Sequence, residues 1–147
     1  MPIPSRIDRC RRTTGRNKSE IAKEEGRAFS HSVVRRLAAL HTEGFGCGGL
    51  SPDAVEFSGR EAKLLHPSRI FALQEGEPIF YEAVSTLRAL VSGGMASEAE
   101  LGRLASAYLS HSPVCRHGIV EHLQKKGIRS TPKQALVSAA QKFAAYF

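Results

Sequence analysis

Apolar residues recur at alternating three- and four-residue steps early in the chain, at Ala22, Gly26, Phe29, Val33, Leu37 and Leu40. That spacing puts all six on one helical face and predicts one long amphipathic helix over 19–42. Lys23, Glu24, Arg27 and Arg35 fall largely off this face, and Gly44 follows as a stop signal. The Gly-rich segment 44–49 cannot sustain a helix and predicts a loop. Two short strands are expected next, 54–57 and 61–65, joined through Ser58-Gly59-Arg60 as a hairpin. The stretch 66–78, broken by Pro67, Gly76 and Pro78, reads as irregular.

The remainder has helical period throughout. Phe80, Val84, Leu87 and Val91 form a stripe that ends at Gly93-Gly94. Ser97-Glu98-Ala99-Glu100 is a capping box opening a helix with Leu101, Leu104, Ala105 and Tyr108 on one face. Ser112-Pro113 starts another, with Ile119, Val120 and Leu123, closed by Gly127. Thr131-Pro132 begins the last, with Leu136, Ala139, Ala140, Phe143 and Phe147 on its buried side. The order implies an α+β fold, predominantly helical, with one small β-hairpin after the long first helix.

Length and charge sharpen this picture. The 147 residues fit one domain of common size, and 41% hydrophobic residues suffice for a single core. The net charge of +7 is uneven. Arg6, Arg9, Arg11, Arg12, Arg16 and Lys18 face Asp8 alone within 1–18, so five of the seven charges sit there. With Pro2, Pro4, Gly15 and Asn17, 1–18 reads as a basic flexible tail ahead of a single domain over 19–147. No run approaches the roughly 18 apolar residues of a membrane span, and the N-terminus has no apolar signal core. Cys10, Cys47 and Cys115 are odd in number and far apart, which fits a reducing compartment. The expected location is cytoplasmic.

The most informative stretch is Leu40-His41-Thr42-Glu43-Gly44-Phe45-Gly46-Cys47-Gly48-Gly49-Leu50-Ser51-Pro52-Asp53-Ala54-Val55. In the protein-kinase signature a His-x-Asp precedes Leu, and an Asn lies five positions past the Asp. Here Gly48, Leu50, Ser51 and Pro52 match the His-Gly-Asp-Leu version of that loop. Motif and element order together resemble the C-terminal lobe of the protein-kinase-like fold. The likeness is to compact atypical kinases: lipopolysaccharide Kdo kinases, the small kinase of the tRNA threonylcarbamoylation complex, and aminoglycoside-type phosphotransferases. It covers roughly 20–110, with motif identity confined to about 40–68.

The chemical positions of that loop are vacated. Cys47 stands in place of the His, Gly49 of the Asp and Ala54 of the Asn, and His66 falls where the metal-binding Asp would be. Gly49 cannot accept a proton, Ala54 offers no oxygen to a metal, and the nitrogen of His66 suits Mg²⁺ poorly. Asp53, after Pro52, reads as a turn residue. The segment ahead of the first helix holds neither a Gly-x-Gly-x-x-Gly loop nor a Val-Ala-x-Lys strand. The resemblance therefore implies a degenerate kinase-like lobe without phosphotransfer activity, a binding or scaffold module or a truncated remnant, with no cofactor and no catalytic residue. It also implies that Glu82, early in the helix after the third motif, could brace the loop as an Asp does in such folds. The plainer reading of Glu82 is a surface carboxylate favoured by the helix dipole.

Other clusters carry less. His111, Cys115, His117 and His122 lie within twelve residues, but zinc needs four converging ligands. Helical phase separates His117 from Cys115, so these histidines read as solvated and no metal is expected. Cys47 among glycines reads as an exposed thiol with no activating base beside it. Lys125, Lys126, Arg129 and Lys133 form a basic patch near Gly127. With the tail arginines and Lys18, it supports the alternative of a basic helical nucleic-acid-binding module. A second alternative is the catalytic lobe of a split kinase whose other lobe is a separate chain. The expected partners are a protein or a second copy of the chain, nucleic acid through the basic tail under the alternative, and no membrane.

Overall fold

The computed structural model describes residues 26–48, 50, 55–57, 62–64, 70–73 and 79–142. The order is helix α1 (Gly26–Thr42), strands β1 (Phe45–Gly46), β2 (Val55–Phe57), β3 (Ala62–Leu64) and β4 (Phe71–Ala72), then helix α2 (Ile79–Ser92). A 3₁₀ turn (Glu98–Glu100) leads into α3 (Leu101–His111), followed by α4 (Pro113–Lys126) and α5 (Pro132–Lys142). The fold is α+β and predominantly helical.

Of the predicted α1 stripe, Gly26, Phe29, Val33, Leu37 and Leu40 are buried, while Ala22 and the rest of 19–25 lie outside the described residues. Phe29, Val33, Val34, Leu37 and Ala38 are almost wholly inaccessible, while Arg27 and Arg35 stay in solvent. Complete burial of a side chain such as Phe29 contributes about 1.5–3 kcal/mol. Gly26 begins the described part of α1 in contact with α2's exit loop: a Cβ there would stand 2.8 Å from the Met95 carbonyl oxygen. α1 packs chiefly on α3, and α5 packs on both α3 and α2. The predicted stripe of α2 is buried in the same way. Phe80, Val84 and Leu87 enter the core together with Ala83 and Leu90, and Val91 packs against it half-buried.

Caps fall where the turn chemistry put them. Ser112 accepts the Cys115 N–H at 3.3 Å, Pro113 sits in the first turn, and Gly127 closes α4 at φ +68°. The Ile128 N–H reaches back to the Leu123 carbonyl at 2.9 Å, completing a left-handed C-cap. Thr131 Oγ1 accepts the Gln134 N–H at 3.2 Å and starts α5. The Glu100 carboxylate accepts the Ser97 N–H at 2.9 Å, but the residues between them form a 3₁₀ turn before α3 proper.

The hairpin pairs antiparallel, Val55 opposite Leu64 and Phe57 opposite Ala62. A second pairing corrects the sequence reading. Phe45 and Gly46, expected in a loop, pair with Ala72 and Phe71, expected in an irregular stretch. Each partner is two residues long, too short for any alternation to register. The Leu73 N–H donates to the Gly44 carbonyl at 2.8 Å and extends this ribbon. The pairing draws together the two ends of the segment 47–70, which contains the hairpin. The hairpin packs on α1 through β3, and its Val55 is buried in the core.

Candidate functional site: a buried carboxylate holding the glycine-rich loop

α2 places two polar side chains, Glu82 and Thr86, one helical turn apart and beside its apolar stripe. Both turn toward the loop that follows β1. Glu82 Oε2 accepts the Gly48 N–H at 2.9 Å. The Cys47 N–H is shared between Oε1 and Oε2, 3.2 Å from each. Thr86 Oγ1 accepts the Leu50 N–H at 2.8 Å. Three main-chain donors of the loop are therefore satisfied by one face of α2. Leu50 itself is 2% exposed and anchors the loop in the core.

The carboxylate has a further partner at the end of α1. His41 Nε2 lies 2.8 Å from Glu82 Oε1, and His41 Nδ1 lies 2.6 Å from the Tyr108 hydroxyl. His41 is 1% exposed, Tyr108 is equally buried, and the two rings meet edge to face at 5.7 Å. Nε2–H donates to the carboxylate, and Nδ1 and the Tyr108 hydroxyl share the second hydrogen bond. The Cys47 thiol points at the same oxygen, with Sγ 3.9 Å from Oε1.

Glu82 is 8% exposed, so it is not the surface carboxylate of the plainer reading. Burial raises its pKa, but the hydrogen bond from His41, the N–H groups of Gly48 and Cys47, and electrostatic attraction to His41 outweigh that and hold the carboxyl below its ordinary 4.5. Tyr108 is displaced upward, first by burial, then by Cys115, its charge and its hydrogen bond, and by the Glu82 charge. Among the described residues no buried side-chain nitrogen or oxygen lacks a partner. A cluster this polar tolerates burial for that reason.

Two glycines fit the loop to its clamp. Gly48 has φ +76°, a left-handed conformation that favours glycine, just after its N–H and that of Cys47 meet the carboxylate. Gly46 has no room for a side chain: an added Cβ would stand 2.7 Å from Glu82 Oε2, 2.7 Å from Leu73 Cδ2 and 3.0 Å from Phe71 Cε2. The β1–β4 ribbon and the carboxylate close on that position from two sides.

The remaining candidates separate into groups. Cys47, Gly48, Leu50 and Glu82 come together in this site. Gly49, Ser51, Pro52, Asp53, Ala54 and His66 lie outside the described residues, as do Arg6, Arg9, Arg11, Arg12, Arg16 and Lys18 of the tail. Lys125, Lys126, Arg129 and Lys133 are exposed around the end of α4 and the start of α5. Cys47 is half-buried against Glu82, a correction to its reading as an exposed thiol. His111 and His117 are exposed, as read, and His122 is partly exposed with its ring stacked on Phe80. Cys115 is buried and donates to the Ala38 carbonyl at 3.4 Å. Among the described residues no three His, Cys, Asp or Glu side chains converge as metal ligands, and no helix is long and apolar enough to cross a membrane.

His41, Thr86 and Tyr108 had no assigned role in the sequence. Thr86 carried a signal, four residues past Glu82 on the same helix. Tyr108 sits within an apolar stripe, and His41 beside one, so neither announced a polar contact. Comparison of the chain with family models, curated proteins and solved structures finds no match.

Proposed function

We propose that the chain is a degenerate protein-kinase-like C-terminal lobe that keeps the scaffold of a phosphotransferase loop and works as a binding or scaffold module. The observation that carries this is the clamp: an acid from the helix after the third motif position accepts the successive N–H groups of Cys47 and Gly48. That is the bracing role the resemblance implies for Glu82. The loop's backbone is held although Gly49 and Ala54 supply no carboxylate or amide for phosphoryl transfer. The order of long helix, loop, hairpin and closing helices supports the same reading.

Its chemistry follows from what a fixed loop can do without those groups. A turn whose Cys47, Gly48 and Leu50 donors are satisfied presents a constant surface to a partner, and position 49, where the resemblance puts the base, is a glycine that cannot deprotonate a hydroxyl. Two measurements test the proposal together. Titration with Mg²⁺-ATP should leave the melting temperature unchanged, and native-state hydrogen exchange should show the amides of Cys47, Gly48 and Leu50 protected. A saturable nucleotide-dependent rise in melting temperature would overturn the inactive assignment. Loop amides exchanging as freely as those of an unstructured peptide would remove its structural support.

A further inference from the structure

Away from the clamp, the start of α2 borders a second feature. Phe80 and Tyr81 from α2, His122 and Lys126 from α4, and Lys142 from α5 line an open groove of about 570 Å³, within the range of ligand sites. The His122 ring stacks on Phe80 with centroids 4.3 Å apart and planes 9° from parallel. Tyr81 stands nearly perpendicular to both, at 5.7 and 5.2 Å, and keeps 45% of its surface exposed. Ala135 and Ala139 extend the apolar floor, and Ser130 and Ser138 bring hydroxyls.

The charges of the groove have one sign. None of its lining residues is acidic. Among the described residues no ion pair engages Lys126 or Lys142, whereas neighbouring Lys125 meets Glu121 at 3.3 Å. Burial, with the nearby charges of Lys126 and Lys125, holds His122 below its ordinary 6.5, so a neutral ring lies beside two ammonium groups at neutral pH. Arg129 and Lys133, also exposed, continue the positive surface beyond the groove.

We infer that this groove binds single-stranded nucleic acid, with a base against the exposed Tyr81 ring and the flanking phosphates against Lys126 and Lys142. Single strands are held in this way without sequence preference, by π-faces for unpaired bases and cations along the backbone. The chain's net charge of +7 favours a polyanion. An acidic peptide would satisfy the lysines but leave the exposed ring without a stacking partner, and a duplex would keep its bases from that ring. This site is separate from the clamp and does not depend on the kinase-like reading.

The test is fluorescence anisotropy with the full chain and a labelled RNA single strand of about 12 nucleotides, between about 50 and 200 mM salt. K126E/K142E should weaken binding about tenfold or more and lower the salt slope by about two. Tyr81→Ala should weaken it by about fivefold to a hundredfold, the loss of one stacked base. A charge-matched R35E/K63E variant, altered outside the groove, should stay near the parent affinity, and circular dichroism melts should show all variants folded. A duplex of the same sequence should bind more weakly than the single strand. Groove variants binding as tightly as the parent would overturn the inference, because the basic tail would then account for all the affinity. So would an RNA that does not bind, or a polyglutamate that displaces it as well as unlabelled RNA does.

Discussion

On one face of α2, Glu82 and Thr86 are committed to the main chain of the loop, and every donor around the carboxylate is used. At the start of the same helix, Tyr81 is 45% exposed beside two lysines that meet no acid among the described residues. One helix thus carries a closed polar site and an open one, and the difference lies in what is left over. Where hydrogen-bonding capacity is fully internal, the site serves the fold and fixes a loop. Where charge and ring surface remain unmatched, the surface can serve a ligand.

The sharpest way to break the closed site is Glu82→Ala. It strands His41 Nε2 in the core and takes the acceptor from the half-buried Cys47 N–H and the exposed Gly48 N–H, at a cost on the order of 3 kcal/mol. Urea denaturation should show the midpoint falling with an unchanged slope. Gly46→Ala acts on the same site from the ribbon side. Its methyl would press on the carboxylate and on Leu73 at 2.7 Å, and overpacking of this kind costs roughly 1–3 kcal/mol.

Acid should separate the two sites by titration. The folded Glu82 carboxyl titrates below its ordinary 4.5, so on acidification the unfolded chain takes up the proton first. The stability that this group contributes is complete above the unfolded value and is lost as pH falls below about 5 and through the folded pKa. Urea midpoints measured between neutral and acid pH should show that decline in the parent, and Glu82→Gln should flatten it. The smallest effect belongs to the open site. K126E/K142E should leave the unfolding free energy within about 0.5 kcal/mol, as exposed substitutions usually do, and should alter ligand binding alone.

Much of the frame was legible in the chain. The α1 stripe, the hairpin and the Ser112-Pro113 to Gly127 boundaries follow from periodicity and turn chemistry, which act over a few residues. The β1–β4 ribbon was not legible, because two-residue strands have no period to detect and their pairing spans 27 positions from Phe45 to Ala72. In the site, Glu82 was marked only through a resemblance. Its partners were hidden: Tyr108 reads as apolar core, and His41 as the end of a helix.

The sequence by itself determined which segments are helical, which faces are apolar, and that the loop after α1 has no carboxylate at position 49 and no amide at position 54. Those properties are local, set by side-chain spacing and by the identity of single residues. Only the tertiary structure decided that Glu82 is buried and ionised, that His41 and Tyr108 complete its hydrogen bonds, and that Lys126 and Lys142 share one groove with Tyr81. The physical reason is that desolvation and hydrogen-bond partnership depend on which distant residues arrive at the same point, and no short-range pattern records that meeting.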